Sequence, residues 1–342
     1  MMSPKINSIF FILLTFIFVS CEKDEQPIEK KNNPGNQLTA AVFLDPDYKY
    51  QVFYDLETNT EVARNLTTAW DLGFECGNDG YHIKLNTSRG MQVWPSGSTL
   101  FSAVENTTGA KWSWDNPNGS IDSTAIGNWG AKNGNDVASN KQVFVLDLGY
   151  DSEGKSKGFR KLQIIGLEGN KYTIKVANLS GENEFLKVIK KDDDYNFVFL
   201  SFEGNGKIMT IEPPKDDWDL VFTKYTHIFS SNNELIPYGV TGVLINSSAT
   251  SVHQDTLFGF EDTDLEIAKG LEYIPDHHAI GYDWKTYDYN SGGYIINTEK
   301  NYLIKNGVGN YYKFHVIDFY NESGEKGNIV FDNVNFNYKS NL

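Results

Sequence analysis

Apolar and polar positions alternate at a period of two through most of the chain, most clearly in Trp218-Asp219-Leu220-Val221-Phe222. Successive side chains of a strand take opposite faces, so Trp218, Leu220 and Phe222 are expected on one side and Asp219 and Val221 on the other. A near copy, Trp70-Asp71-Leu72-Gly73-Phe74, lies in the first half. Each copy follows an aromatic strand pattern, Tyr50-Gln51-Val52-Phe53-Tyr54 before the first and Tyr195-Asn196-Phe197-Val198-Phe199 before the second. The echo reads as an internal repeat and predicts two related halves, residues 38–190 and 191–342. The seam is Lys190-Lys191-Asp192-Asp193-Asp194, whose adjacent carboxylates lack the alternate spacing, glycine and distal glutamate of a calcium loop.

Residues 38–66 read as two or three strands with a turn at Glu57-Thr58-Asn59-Thr60. Residues 81–85 read as a strand with Tyr81, Ile83 and Leu85 on one face and His82 toward solvent. Residues 142–148, 161–167 and 171–179 continue as a meander. In the second half, residues 195–202 and 207–212 lead into the Trp218 strand. Beyond it Tyr225, His227 and Phe229 share a face, which sets His227 in an aromatic stripe. A short helical turn is expected from Asp264, and a three-stranded antiparallel meander over residues 294–305, 310–320 and 328–336 ends the chain, with His315 exposed. The expected class is all-β, built of antiparallel sheets in a sandwich-like arrangement of two related halves.

Composition supports that class. Aromatics make up 14%, with 22 Phe and 19 Tyr against 4 Met, and 30 Gly punctuate the apolar runs. A net charge of −15 repels a polyanion, so no nucleic-acid partner is expected. No Gly-rich phosphate loop, nucleophile elbow or helical His pair with Glu occurs, so the chain is not expected to be an enzyme.

The start reads as a signal peptide over residues 1–20: Lys5 precedes an apolar run over residues 9–19, interrupted by Thr15, that is too short to cross a bilayer. Phe18-Val19-Ser20-Cys21 resembles the lipobox of bacterial lipoproteins, with Phe18 where an aliphatic residue is usual. The resemblance implies that Cys21 is acylated and becomes the mature N-terminus, and several acyl chains anchor stably where one does not. Cys76 is then left without a disulfide partner and is expected to be a packing residue. Residues 21–37 form a polar tether, and Glu22-Lys23-Asp24-Glu25 resembles a cell-surface export tag. The expected location is the outer membrane, facing the exterior. Asp122-Ser123-Thr124 and Asp255-Thr256-Leu257 resemble the O-glycosylation sequon of such lipoproteins, which agrees with export.

Residues 105–141 are rich in Asn, Gly, Ser and Asp yet carry Trp112, Trp114 and Trp129. Such a loop is either a surface whose aromatic faces stack on sugars or planar ligands, or a cover for a sheet edge. The two Trp-Asp-Leu strands, Ala279-Ile280-Gly281-Tyr282-Asp283-Trp284, Asn310-Tyr311-Tyr312-Lys313-Phe314 and Gly324-Glu325-Lys326-Gly327 resemble the HmuY-like family of bacterial surface lipoproteins. The resemblance spans most of the mature chain and is strongest over residues 217–336. It implies an all-β fold; its best-known members hold haem iron between two histidines of extended segments and pass the haem to a TonB-dependent outer-membrane receptor. No local motif identifies the matching histidines here, and His227, His253, His277 and His278 are the candidates. Neighbours in an extended segment point apart, so His277 and His278 are not expected to share one site. Tyr225, Tyr282 and the loop tryptophans are candidate walls for a ligand. Two readings follow. One is a haem-capturing lipoprotein serving an outer-membrane β-barrel receptor; the other is an accessory lipoprotein docked on a β-barrel complex and binding protein or glycan without haem.

Overall fold

The computed structural model describes residues 37–232 and 234–337; Cys21, the signal peptide and residues 22–36 lie outside the described residues. Both Trp-Asp pairs sit at the entrance to a strand, which begins one residue later, at Leu72–Glu75 in one copy and Leu220–Ser231 in the other. The same side-chain hook holds each entrance. The Asn86 carboxamide donates to the Trp70 carbonyl at 2.8 Å, and Asn246 donates to the Trp218 carbonyl at 2.9 Å. Alternation therefore does not run through the tryptophans. Leu220 and Phe222 enter one core, whereas Trp218 joins Val221 and Tyr225 in another, which corrects the expected grouping.

The strands preceding the two copies are exchanged between them. Tyr50–Asp55 pairs with the second copy, Leu220 opposite Tyr54, and Phe197–Ser201 pairs with the first, Leu200 opposite Leu72. Matching backbone bonds close each exchange, from Asp71 N to Leu200 O at 2.8 Å and from Asp219 N to Tyr54 O at 2.9 Å. Pairing thus crosses the expected seam near residue 190 in both directions.

The result is a four-layer all-β stack of antiparallel sheets. A seven-stranded sheet, which includes Phe159–Glu168 and Lys171–Ala177, packs on the four-stranded sheet of the first copy around Leu72, Phe74 and Tyr172. A five-stranded sheet, running in order Gln37–Phe43, Lys326–Asn335, Tyr311–Tyr320, Asn301–Lys305 and Ser251–Asp255, packs on the four-stranded sheet of the second around Phe222, Phe314 and Phe331. The two four-stranded sheets turn their other faces to each other, and Trp70, Trp218, Phe53 and Phe199 fill the space between them.

Several expectations are revised. Residues 294–305 do not form one strand: Gly293–Ile296 pairs in a hairpin with Lys285–Asp288, and only Asn301–Lys305 enters the terminal meander. His82 is buried, because Glu75 accepts from its ring at 2.7 Å and from the backbone N–H groups of Tyr81 and His82 at 3.0 Å. His315 is half-buried between Phe260, stacked at 3.8 Å, and Asp332. The Trp-bearing loop covers an edge: Ser113 and Val93 exchange backbone bonds beside Gln92–Pro95. Its last part is a hairpin of Gly130–Asn133 with Asp136–Ser139, and Trp129, fully buried with its indole donating to the Tyr81 carbonyl at 2.8 Å, offers no face to a ligand. Cys76 is a buried free thiol, pushed up to about 11 by desolvation.

The two aspartates carry unequal loads. Asp71 accepts from Phe202 N at 2.7 Å and pairs with the buried Arg89 guanidinium, while Asp219 accepts from Leu56 N at 2.9 Å and the Thr250 hydroxyl at 3.1 Å. Removing one member of a buried ion pair strands the other, so Asp71→Ala is expected to cost about 3–5 kcal/mol. Asp219→Ala, which orphans only neutral donors, is expected to cost about 1–3 kcal/mol. Urea denaturation of the two variants measures the difference, and equal losses would contradict this assignment.

Candidate functional site

The site is built on the longest hairpin, Leu220–Ser231 with Glu234–Ile245. Cross-strand register puts His227 opposite Tyr238, Tyr225 opposite Val240 and Phe229 opposite Ile236, so all six share one face. Toward the hairpin tip that face is open: Phe229, Ile236 and Tyr238 are 38%, 45% and 62% exposed. Pro237 is tolerated because the returning strand is the edge of its sheet.

Residues 276–284 cross the base of this face. Val243 and Gly281 exchange backbone bonds of 2.9 Å in both directions, and Ile245 N donates to His277 O at 2.9 Å. Glycine is required on both sides of the contact. A Cβ on Gly242 would lie 2.2 Å from the Gly281 carbonyl oxygen, and Gly281 itself has φ +69°. The fully buried Trp284 pins the segment by donating its indole N–H to Gly281 O at 3.0 Å.

This crossing lays the His278 ring on His227, with centroids 5.1 Å apart and planes 25° from parallel. Tyr225 meets His278 edge-on at 5.5 Å, Tyr282 lies 4.9 Å from His227, and Phe229 lies 4.7 Å from it. Nδ1 of His227 and Nε2 of His278 are buried and, among the described residues, make no hydrogen bond to another protein group. Desolvation holds both imidazoles below the ordinary histidine range, and the nearby His227 ring adds to the effect on His278; Asp283 opposes it on both, and Asp276 opposes it on His278. Both are therefore in the neutral form that ligates a metal. Among the described residues no group of three or more His, Cys, Asp or Glu converges on a common point.

The other candidates lie elsewhere. His277 points away from His278, its Nδ1 2.5 Å from the Ile245 carbonyl, and its backbone N–H donates to Asn118 O at 3.0 Å. His253 is on the strand Ser251–Asp255, not on a loop, with Nδ1 2.9 Å from Glu272 O. Trp112 stacks on Phe159 at 5.7 Å, and Trp114 borders a groove shared with Arg89 and Tyr150. Of the sequence candidates, His227, His278, Tyr225 and Tyr282 come together. Ile236 and Tyr238 complete the face without having been singled out, although their alternation around Pro237 was legible.

The HmuY protein family matches residues 47–333. The chain belongs to the HmuY family. A search of curated proteins finds no match to this HmuY-family chain. Among solved structures it is similar to one described as an HmuY-like heme binding protein from Bacteroides vulgatus, with 11% identity, 89% of this chain and 93% of that one covered, and a TM-score of 0.24. It is also similar to apo PinO from Porphyromonas gingivitis, with 9% identity, 87% and 96% covered and a TM-score of 0.26. For the apo HmuY analog of Tannerella forsythia the values are 9%, 87%, 96% and 0.24.

Burial and the nearby Lys84 ammonium push the His277 imidazole down to about 4. The unfolded chain, whose histidine titrates near its ordinary value, binds more protons between that value and pH 4. His277 therefore contributes stability that is complete above about pH 6.5 and lost as the pH falls toward 4, on the order of 2 kcal/mol after discounting for partial exposure. Buried Asp115 and Glu212, raised to about 6 and about 7, act with the opposite sign. The check is the His277 ring resonance followed by NMR against pH, together with the stability difference between wild type and His277→Gln, which is expected to vanish at the acid end.

Proposed function

We propose that this protein captures haem, with His227 and His278 as the residues that would hold the iron. The observation that carries the reading is two neutral, facing imidazoles with buried, unshared ring nitrogens at the foot of an exposed aromatic face. A bare transition-metal ion bound by protein alone asks for about four ligands, more than converge here among the described residues. A haem would supply most of the iron's ligands itself, and His227 and His278 would be a matching pair of protein donors. Phe229, Ile236 and Tyr238 offer the broad apolar contact that a planar macrocycle needs.

As placed, the two rings lie against each other, so accommodating a planar guest requires them to separate. The hairpin gives that freedom. Its pairing with Tyr50–Asp55 covers only residues 220–222, so the outer turns that carry His227 are held by one partner strand instead of two. The loop that carries His278 is fixed more firmly, through Gly281 and Trp284.

In the same reading the protein is a binding protein with no catalytic role. Acylated Cys21 and the following tether hold it on the outer membrane facing the exterior, where it hands haem to an outer-membrane β-barrel receptor. Haem titration followed by the Soret band is the direct test. His227→Ala and His278→Ala are each expected to weaken binding by at least about tenfold and to abolish a low-spin spectrum, while His253→Ala leaves both unchanged. Unchanged spectra in the His227→Ala, His278→Ala pair would sink this site. Absence of any Soret change in the wild type would favour the accessory-lipoprotein reading, in which the loop with Trp112 and Trp114 binds protein or glycan. For the anchor, Cys21→Ala is expected to move the protein from the membrane to the soluble fraction, and retention in the membrane would refute it.

A further inference from the structure

Between the two four-stranded sheets lies a cavity of about 120 Å³ that the imidazole pair does not use. Four residues of its lining each carry a buried polar atom that makes no hydrogen bond to another protein group among the described residues: Nε1 of Trp70, Nε1 of Trp218, Nε2 of Gln51 and the Tyr225 hydroxyl. All four residues are more than nine-tenths buried. Orphaned buried donors cost about 1–3 kcal/mol each, so four around one space call for a common acceptor.

Charges of both signs face the cavity, the Lys84 ammonium and the carboxyl groups of Asp115 and Glu212. The Lys84 ammonium sits 3.7 Å from the Phe197 ring centroid and 5.0 Å from that of Phe199; among the described residues it has no carboxylate in direct contact, although Glu212, Asp115 and Glu75 act on it at longer range. Gly73 creates its path, since a Cβ there would lie 2.9 Å from the lysine side chain. The carboxylates that also face the space are already engaged by backbone N–H groups, Asp115 from Leu85 and Ala125 at 2.6 and 2.7 Å and Glu212 from Phe197 at 2.7 Å. The two histidines on the lining are committed too, His82 to Glu75 and His277 to Ile245 O. The roof is the polar stretch over residues 116–124, where Gly119, at φ +70°, packs so closely on His277 that a Cβ would come within 2.6 Å of it.

We propose that this cavity is a second ligand site, for a small carboxylate whose oxygens accept from the Trp70 and Trp218 indoles, Gln51 and Lys84 and whose apolar body lies among Phe53, Phe199 and the tryptophan rings. The two Trp-Asp copies thereby acquire a role beyond registration: each delivers one indole N–H to the same space. A volume of this size also holds about four waters at ~30 Å³ each, which is the competing occupant.

The test uses the full chain titrated with acetate and benzoate, with benzylamine as a cationic control, followed by thermal shift and by ¹⁵N–¹H spectra of the indoles. Benzoate is expected to raise the melting temperature and to move the Trp70 and Trp218 resonances selectively among the 7 tryptophans. Trp218→Phe, which keeps the ring and removes the donor, is expected to weaken benzoate binding about tenfold. Gln51→Glu, which sets a carboxylate among the donors, is expected to abolish it. His227→Ala and His278→Ala are expected to leave it intact, which separates this site from the proposed haem site. Neither acid binding at millimolar concentration to a folded wild type would mean water alone and overturn the proposal. So would benzylamine binding in preference, or binding that survives both Trp218→Phe and Gln51→Glu.

Discussion

Two buried carboxylates, one at each Trp-Asp pair, set the constraint on which the architecture rests. A carboxylate out of water must be matched by donors at close range, or its burial costs more than nearby packing returns. Asp71 and Asp219 meet this demand with backbone N–H groups of the strand exchanged from the other copy, at Phe202 and Leu56. The exchange is thereby specified chemically as well as sterically. Without it, each aspartate would be left without its backbone donor and each tryptophan would lose its side of the shared cluster. Desolvation nevertheless pushes Asp219 up to about 6, a sign that its donors compensate burial only in part.

Everything at the candidate haem site hangs from that frame through a close backbone approach. Gly242 and Gly281 allow residues 276–284 to pair across the hairpin face with no side chain between them. Residues 276–279 form a turn there, closed by the Ala279 N–H donating to Asp276 O at 2.9 Å, and the two histidines at its centre diverge. His278 joins His227 on the outer aromatic face, and His277 turns inward to roof the donor-lined cavity. One dipeptide thus contributes to two chemically different places. The outer one is aromatic and neutral; the inner one holds a lysine and two carboxylates whose charges are all disfavoured by burial.

The Trp-rich loop links the seven-stranded sheet to the cavity between the central sheets. Its first part covers the edge of Gln92–Pro95 through Ser113, its middle part roofs the cavity, and its last part becomes two strands of the seven-stranded sheet. Glycine- and asparagine-rich composition suits this, because close approach to His277 and tight turns demand small or left-handed residues. Composition alone does not distinguish a roof from a binding loop, since both need polar, turn-forming residues.

By itself the sequence determined the all-β class, the Trp-Asp-Leu repeat, the terminal meander and the stripe of Tyr225, His227 and Phe229, all of which follow from period-two alternation and turn chemistry within a few residues. His227 with His278 was legible as one of two candidate pairs, the other being His227 with His253, and the sequence did not choose between them. Strand exchange, the burial of Trp129 and His82, the half-burial of His315, and the meeting of two imidazoles 51 positions apart were decided by tertiary structure. The physical reason is that alternation says which side of a strand a residue takes and nothing about what faces that side. Both faces of the central sheets are buried, so His82, opposite Ile83, meets Glu75 instead of water, and even on the outer five-stranded sheet His315, opposite Val316, is covered by Phe260 and Asp332. Pairing between distant strands depends on which buried donors satisfy which buried acceptors, and that match exists only once the layers have come together.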